Sequence, residues 1–345
     1  MLDDLKYIHE RDTQDALGIA EKQWQQLEHD FQLQPVVGNF ENIVHSGMGG
    51  SALWALLSAS WPGYTVPFEV VRGYDIPAYV SGRTLFIASS YSGNTEETLS
   101  SLAQAEKKGA YIVIITSGGK LADIARNNKY QLIDLPKIDK PRYGTFYGLR
   151  GLILLCEGLG LVAEKEASNE IKNSASFLKQ AIQSWLPTVP AKENAAKKLA
   201  QELMGKSPVM YAGPLLAPAA HKWKISFNEN SKNVAWEYEF PEFNHNEFTG
   251  WTSQPENKPY SVVYLTSSFD NERIKKRFEL SEKLLSGRWP SPHYIEAQGE
   301  SKLHQLLWTV AMGDFVSLYL ALLNGVNPID TGDKDIIEKF KKELA

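Results

Sequence analysis

Between Ser89 and Thr98 the chain reads Ser-Ser-Tyr-Ser-Gly-Asn-Thr-Glu-Glu-Thr, after the apolar run Thr84–Ala88 and before a helical pattern. Hydroxyls at Ser90, Ser92, Thr95 and Thr98, with Gly93 allowing a tight turn, put O–H and N–H donors at a helix start, where aligned peptide dipoles favour an anion. The loop has no lysine and so is not a Walker nucleotide loop. A hydroxyl cradle of this kind suits a phosphate monoester already carried by a small metabolite. An ordinary capped helix start also contains Ser and Thr, so this loop alone does not decide. A second loop adds to it. The strand Ile43–Ser46 feeds Gly47-Met48-Gly49-Gly50-Ser51, where the backbone can approach a ligand closely. That turn lacks the GxGxxG spacing of a dinucleotide site, which weakens a dehydrogenase reading.

The elements that position these loops are legible as an alternation. From Asn42 onward strand-like runs (Ile43–Ser46, Phe68–Val71, Thr84–Ala88, Tyr111–Thr116, Gln131–Leu135) alternate with helix-like ones, ending in a helix over Gly144–Leu161. Such alternation predicts a parallel sheet covered by helices, with ligands at the carboxyl ends of the strands. After a polar stretch at Ala163–Ser176, a helix Phe177–Trp185 and the Pro-bounded segment 186–190, the pattern restarts. Helices at 194–204, 215–228, 271–286 and 303–323 alternate there with strands at 208–212, 260–265 and 293–297. The organisation expected is therefore α/β with two similar halves: residues 1–162, a helical connector and linker at 163–190, and residues 191–345.

A length of 345 residues exceeds the roughly 100–200 of one domain and agrees with two. The formal charge of −5 excludes a strongly basic nucleic-acid-binding surface. One cysteine, Cys156, sits in an apolar run, which rules out an intramolecular disulfide or a thiolate cluster and fits an inert buried thiol in a reducing compartment. The charged N-terminus has no secretory h-region, and the most apolar helix, near Gly148–Val162, is interrupted by Arg150 and Glu157 and too short for a bilayer. A cytoplasmic protein without membrane or nucleic-acid partners is expected. The histidines show no metal-ligand spacing, and no metal or cofactor is expected. His45, on the first strand, reads as a hydrogen-bonded core residue.

Together the Gly47–Ser51 and Ser90–Thr95 loops resemble the sugar isomerase (SIS) domain. The second half narrows this: Trp223–Lys232 contains Asn-Glu-Asn-Ser-Lys, and Phe240–Trp251 contains His-Asn-Glu and ends in Gly-Trp. This pair resembles the bifunctional phosphoglucose/phosphomannose isomerases, and the terminal Ile337–Lys341 resembles that family's last helix with its lysine. The chain departs from the family pattern at Ser231, at Tyr143-Gly144-Thr145 after Pro141-Arg142, and over 327–333. The resemblance implies two SIS subdomains, each a doubly wound, mainly parallel sheet flanked by helices. It also implies reversible interconversion of glucose 6-phosphate, and of mannose 6-phosphate, with fructose 6-phosphate. This chemistry belongs to carbohydrate metabolism, to glycolysis and gluconeogenesis.

Such an isomerase needs a phosphate anchor, a ring-opening acid–base pair and a base that moves a proton between C2 and C1. Ser51, Ser90, Ser92 and Thr95, with the amides of Gly49 and Gly50, are the anchor candidates. By resemblance, Glu229 is the base of a cis-enediol path, which calls for partial desolvation of its carboxylate. His245 and Lys341, with Lys339 and Lys342 as near neighbours, resemble the ring-opening residues, and Arg142 would stabilise the enediolate. The family expectation is a homodimer in which His245 reaches the site of the neighbouring subunit. The competing reading is a non-catalytic sugar-phosphate-binding regulator, which could dispense with Glu229, His245 and Lys341. It also calls for a basic DNA-recognition helix that the acidic N-terminal segment does not offer.

Overall fold

Strand runs such as Thr84–Ser89 are apolar at four consecutive positions, Leu85–Ala88, and only a sheet covered on both faces buries them; in this run all six residues are buried. The computed structural model describes residues 1–35, 38–138, 140–330, 336, 339–340 and 342–343. In chain order the elements are α1 (Leu5–Arg11), α2 (Ala16–Glu21), β1 (Asn42–Ser46), α3 (Gly50–Ser60), β2 (Phe68–Val71), β3 (Thr84–Ser89), α4 (Glu96–Lys107), β4 (Tyr111–Thr116), α5 (Gly119–Asn128), β5 (Gln131–Asp134), α6 (Thr145–Gly158) and α7 (Ala167–Ile182). They continue with α8 (Ala195–Leu203), β6 (Ser207–Ala212), α9 (Ala217–Ser226), β7 (Trp236–Glu239), α10 (Glu247–Trp251), β8 (Tyr260–Thr266), α11 (Glu272–Leu284), β9 (His293–Glu296) and α12 (Lys302–Leu323). The chain folds as two units, residues 22–179 and residues 1–21 with 180–345, and the boundary falls within α7.

In the 22–179 unit a fully parallel sheet has the order β2-β1-β3-β4-β5. One face buries Val44, Phe86, Ile112 and Ile114 with Leu102 and Ala105 of α4 and Leu121 and Ala125 of α5. Helices α3 and α6 pack against each other. A Cβ on Gly148 of α6 would stand 2.2 Å from the Trp54 ring of α3, so only glycine admits that indole. The polar stretch before Phe177, expected as a lead-in, is helical from Ala167; Ile171, Ala175 and Leu178 recur on one buried face of α7.

The other unit has a parallel sheet of order β7-β6-β8-β9. Strand β7 and the short α10 are absent from the sequence expectation, because Trp-Glu-Tyr-Glu shows no apolar run and its burial is only partial. The first 21 residues, expected with the first half, belong to this unit. Tyr7 donates its hydroxyl to the Leu322 carbonyl at 2.8 Å, and the buried Lys197 donates to Asp3 at 3.2 Å. Ala16, Leu17 and Ala20 are buried, and α2 contacts α12. Helix α12, not α6, is the long apolar one: it has the length and composition of a bilayer span, yet its residues form the core of this unit against α8 and α9.

Candidate active site

The 22–179 sheet carries both suspected loops at one place. Strand β1 lies between β2 and β3, so crossovers leave it in opposite directions, and the β1/β3 boundary is the switch point where open α/β sheets bind ligands. The Gly47–Ser51 turn follows β1 and Ser90–Thr95 follows β3. A Cβ on Gly47 would stand 2.9 Å from the Ser51 carbonyl oxygen and 3.0 Å from that of Ser89, so the close approach of the loops requires glycine. Gly49 takes φ +50° and Gly50 opens α3, whose first turn has no side-chain cap.

The hydroxyls converge. Ser90 Oγ lies 2.7 Å from Thr95 Oγ1 and 3.4 Å from Ser92 Oγ, and the Gly93 N–H donates to Ser90 Oγ at 3.1 Å. The Tyr91 N–H donates to Ser51 Oγ at 3.0 Å and so joins the two loops. Thr95 is the N-cap residue of α4, but its hydroxyl faces Ser90 and does not cap the helix. The leading N–H groups of α4 thus receive no cap from the Thr95 side chain. Thr98 points inward: it is buried and donates to the Ser89 carbonyl at 3.4 Å, so it is not part of the cradle.

Arg142 sits in a 3-10 turn, Pro141–Tyr143, with its guanidinium 5.7 Å from the centre of the Tyr143 ring. Tyr91 ties this region to the cradle, since its hydroxyl donates to the Pro136 carbonyl at 2.7 Å and accepts the Ile138 N–H at 2.6 Å. No sequence pattern marks Tyr91 as functional; the available signal is a large aromatic among small hydroxyl residues. His45 is fully buried, and its Nε2 donates to the Ser51 carbonyl at 3.0 Å. Its Nδ1 has no hydrogen-bond partner among the described residues, so the expectation of a hydrogen-bonded core histidine holds there for one nitrogen only. Burial holds its pKa down to about 4. Cys156 is buried, and desolvation pushes its thiol up to about 12, the state of an inert cysteine.

In the unit of 1–21 and 180–345, α9 runs on into a π-helical turn, Phe227–Ser231, which carries Glu229. Such turns are rare and recur at functional sites. This one is clamped from α12 and the segment after it: Asn230 Nδ2 donates to Ser317 Oγ at 2.9 Å, Asn324 Nδ2 to the Ser231 carbonyl at 3.1 Å, and Lys232 Nζ to the Asn327 carbonyl at 2.6 Å. Glu229 itself is exposed. The residues around this turn therefore do not supply the desolvation expected of the base.

His245 ends the 3-10 turn Glu242–His245 after β7. Its flanks are anchored by an aromatic cluster of Tyr211, Phe240, Phe243, Trp251, Tyr264, Phe278 and Trp289. Asn244 accepts from Arg277 at 3.0 Å and donates to Ser281 at 2.9 Å, and Glu247 accepts the Tyr211 hydroxyl at 2.6 Å. His245 is exposed on this rigid base. Lys341 lies outside the described residues; of its neighbours, Lys339 is exposed and pairs with Glu343 at 3.8 Å, and Lys342 is exposed.

The unit that carries Glu229 repeats the switch-point topology at β6/β8 but not the cradle. A Cβ on Gly213, after β6, would stand 2.3 Å from Asp270 Oδ1 of the loop after β8. Asp270 Oδ2 accepts the Ser267 N–H at 3.0 Å, and burial raises the pKa of this carboxyl. At this switch point the chain places its own carboxylate against the glycine turn.

Two parallel sheets with this strand order, one bearing a hydroxyl cradle at its switch point, define a SIS-domain protein of the phosphosugar class. A solved structure from Thermus thermophilus, a glucose-6-phosphate isomerase like protein, superposes with a TM-score of 0.64 over 96% of this chain and 98% of its own, at 20% identity. Residues 192–344 match the family model of the bacterial phospho-glucose isomerase C-terminal SIS domain. The bifunctional phosphoglucose/phosphomannose isomerase of Caldicellulosiruptor bescii is 34% identical over 89% of this chain and 91% of that protein. The enzyme of the same name from Aquifex aeolicus is 32% identical over 88% and 91%. The chain belongs to the bifunctional phosphoglucose/phosphomannose isomerase family, as the Asn-Glu and His-Asn-Glu motifs lead one to expect.

Proposed function

We propose that the protein reversibly isomerises glucose 6-phosphate and mannose 6-phosphate to fructose 6-phosphate. The observation that carries this reading is the hydroxyl cradle at the β1/β3 switch point, in a chain of this family whose Asn-Glu motif sits on a clamped π-turn. The 6-phosphate is held by Ser51, Ser90, Ser92 and Thr95 with the amides of Gly49 and Gly50, and this remote grip fixes the sugar for reaction. His245 and Lys341 open the ring by exchanging protons with the ring oxygen and the anomeric hydroxyl. Glu229 takes the C2 proton of the aldose, leaving a cis-enediolate, and returns it to C1 to give the ketose. Arg142 stabilises the charge on the enediolate oxygens. C2 epimers lose the same stereocentre in that intermediate, which is why one site serves both aldoses.

The active species is a homodimer in which His245 is contributed by a second copy. Supporting this, Glu229 and His245 of one chain lie at opposite edges of one sheet, and the aromatic cluster fixes His245 at an exposed position. The inert Cys156 supports a reducing, cytoplasmic setting, in line with a step of glycolysis or gluconeogenesis.

The test is coupled-assay turnover of glucose 6-phosphate and mannose 6-phosphate, with EDTA present, for the intact protein and for Glu229→Gln. Turnover of both, reduced about a thousandfold by the substitution, is expected of a lost general base. Tight sugar-phosphate binding without turnover would instead make the protein a binding regulator.

A further inference from the structure

Tyr91 stands in the middle of the hydroxyl loop, yet its side chain leaves the cradle. It is 8% exposed, and each of its polar groups is engaged with a different segment. The N–H donates to Ser51 Oγ at 3.0 Å. Because Ser51 Oγ accepts that bond, the proton of its own hydroxyl remains for an incoming phosphate oxygen. The Tyr91 carbonyl accepts from the N–H of Ser117 at 3.1 Å and its hydroxyl at 2.8 Å, which fixes the loop to the end of β4. The phenolic oxygen donates to the Pro136 carbonyl at 2.7 Å and accepts the Ile138 N–H at 2.6 Å. The ring edge reaches Gly144, where an added Cβ would lie 3.7 Å from it. The segment leading to Arg142 is therefore held at Pro136 and Ile138 by one side chain, and after the arginine Gln26 adds a bond to the Tyr143 carbonyl at 2.6 Å.

We propose that Tyr91 is a positioning residue that couples the phosphate cradle to Arg142. Seating a phosphate on Ser51, Ser90 and Thr95 immobilises the Tyr91 backbone, and the phenol transmits that to Pro136 and Ile138, which lead to the Arg142 turn, so phosphate binding and guanidinium placement occur together. The coupling gives a physical route by which the non-reacting end of the substrate contributes at its reacting end. It rests on the reading of Arg142 as the group beside the enediolate.

The test uses Tyr91→Phe, which removes only the phenolic oxygen, with inorganic phosphate as the probe. In the intact protein, saturating phosphate is expected to slow deuterium exchange of the Ile138 amide and of the peptides spanning 136–144 at least tenfold. In Tyr91→Phe that protection is lost, while phosphate affinity stays within about twofold because every cradle hydroxyl remains. With sugar phosphate as substrate, kcat falls by roughly tenfold or more at near-constant KM, the order expected for a displaced charged group. In an Arg142→Ala background the tyrosine substitution costs nothing further. Phosphate-dependent protection of Ile138 that survives in Tyr91→Phe, or that is missing from the intact protein, overturns the proposal. The exchange measurement needs no turnover, so it decides this point even if the isomerase reading fails.

Discussion

Glu229 and His245 stand at opposite edges of the same four-stranded sheet. The π-turn of Glu229 closes α9 at the amino edge, where Asn233 Nδ2 donates to the carbonyl of Lys206, the residue before β6, at 3.3 Å. His245 follows β7 at the carboxyl edge, where the Phe240 N–H donates to the carbonyl of Ala212, the last residue of β6, at 2.9 Å. The length of β6 separates these edges by roughly 17 Å. Neither residue can slide toward the other, because one is tied to α12 and the other stands on an aromatic cluster. The proposed dimer, in which the two come from different copies of the chain, accommodates this separation.

That geometry makes a complementation experiment decisive. Glu229→Gln and His245→Ala should each be nearly inactive alone, while an unfolded and co-refolded equimolar mixture should recover about a quarter of the intact activity. Half of the dimers are then mixed, and each mixed dimer holds one site with both native groups. A mixture as inactive as its parents, with mixed dimers demonstrated by mass, would place both groups within one chain's site.

The cradle hydroxyls should act on binding more than on chemistry. Ser90 shares a short bond with Thr95 and accepts from Gly93, so Ser90→Ala removes one phosphate donor and loosens another. A loss of about 1–3 kcal/mol of charge-assisted hydrogen bonding corresponds to a roughly 5- to 150-fold rise in KM and in the inhibition constant of inorganic phosphate. The more exposed Ser92→Ala should cost less. Unchanged phosphate inhibition in Ser90→Ala would remove this loop from the anchor.

Much of this was legible because strands such as Tyr111–Thr116 are continuous apolar runs and hydroxyl loops follow two of them. The β1/β3 switch point then falls where topology rules put it. Strand β7 was not legible, since Trp236 and Glu239 are exposed on this edge strand and leave no apolar signature. Attachment of residues 1–21 to the far half depends on long-range bonds such as Tyr7 to Leu322, which no local pattern encodes. Tyr91 was missed for a related reason: its role lies in contacts 45 and 47 residues away in sequence. Glu229 is exposed on its turn, and no local pattern encodes what would desolvate its carboxylate.

His45 gives an acid-side stability prediction. Folding lowers its pKa from 6.5 to about 4 through burial, so between those values the unfolded chain binds a proton that the folded chain excludes. Stability is therefore full above about pH 6.5 and falls with decreasing pH, reaching a loss of about 3 kcal/mol near pH 4 from this residue. His45→Gln retains a donor for the Ser51 carbonyl and does not titrate. Urea denaturation of both proteins at pH 7.5 and 4.5 should show the intact protein losing roughly 2–3 kcal/mol more than the variant across that interval. Parallel losses in the two would mean that His45 is hydrated in the native state.

Lys222 and Asp314 make a short ion pair in the core of the unit that carries Glu229, 3% and 1% exposed, and Ser226 donates to Asp314 at 2.8 Å while accepting from Lys222 at 2.6 Å. This network bolts the end of α9 to α12, three residues before Glu229. Asp314→Ala leaves an ammonium buried without its counterion and should destabilise the protein by about 3–5 kcal/mol, read from urea denaturation. Removing both charges in Lys222→Met with Asp314→Leu should restore most of that stability, because the pair's attraction is largely offset by its desolvation. If the network serves to hold the π-turn, the double variant regains stability but not kcat, and Glu229 is the residue displaced. Recovery of stability and kcat together would show that apolar packing of α9 on α12 suffices to set the turn, with Asn230 to Ser317 as the remaining tie.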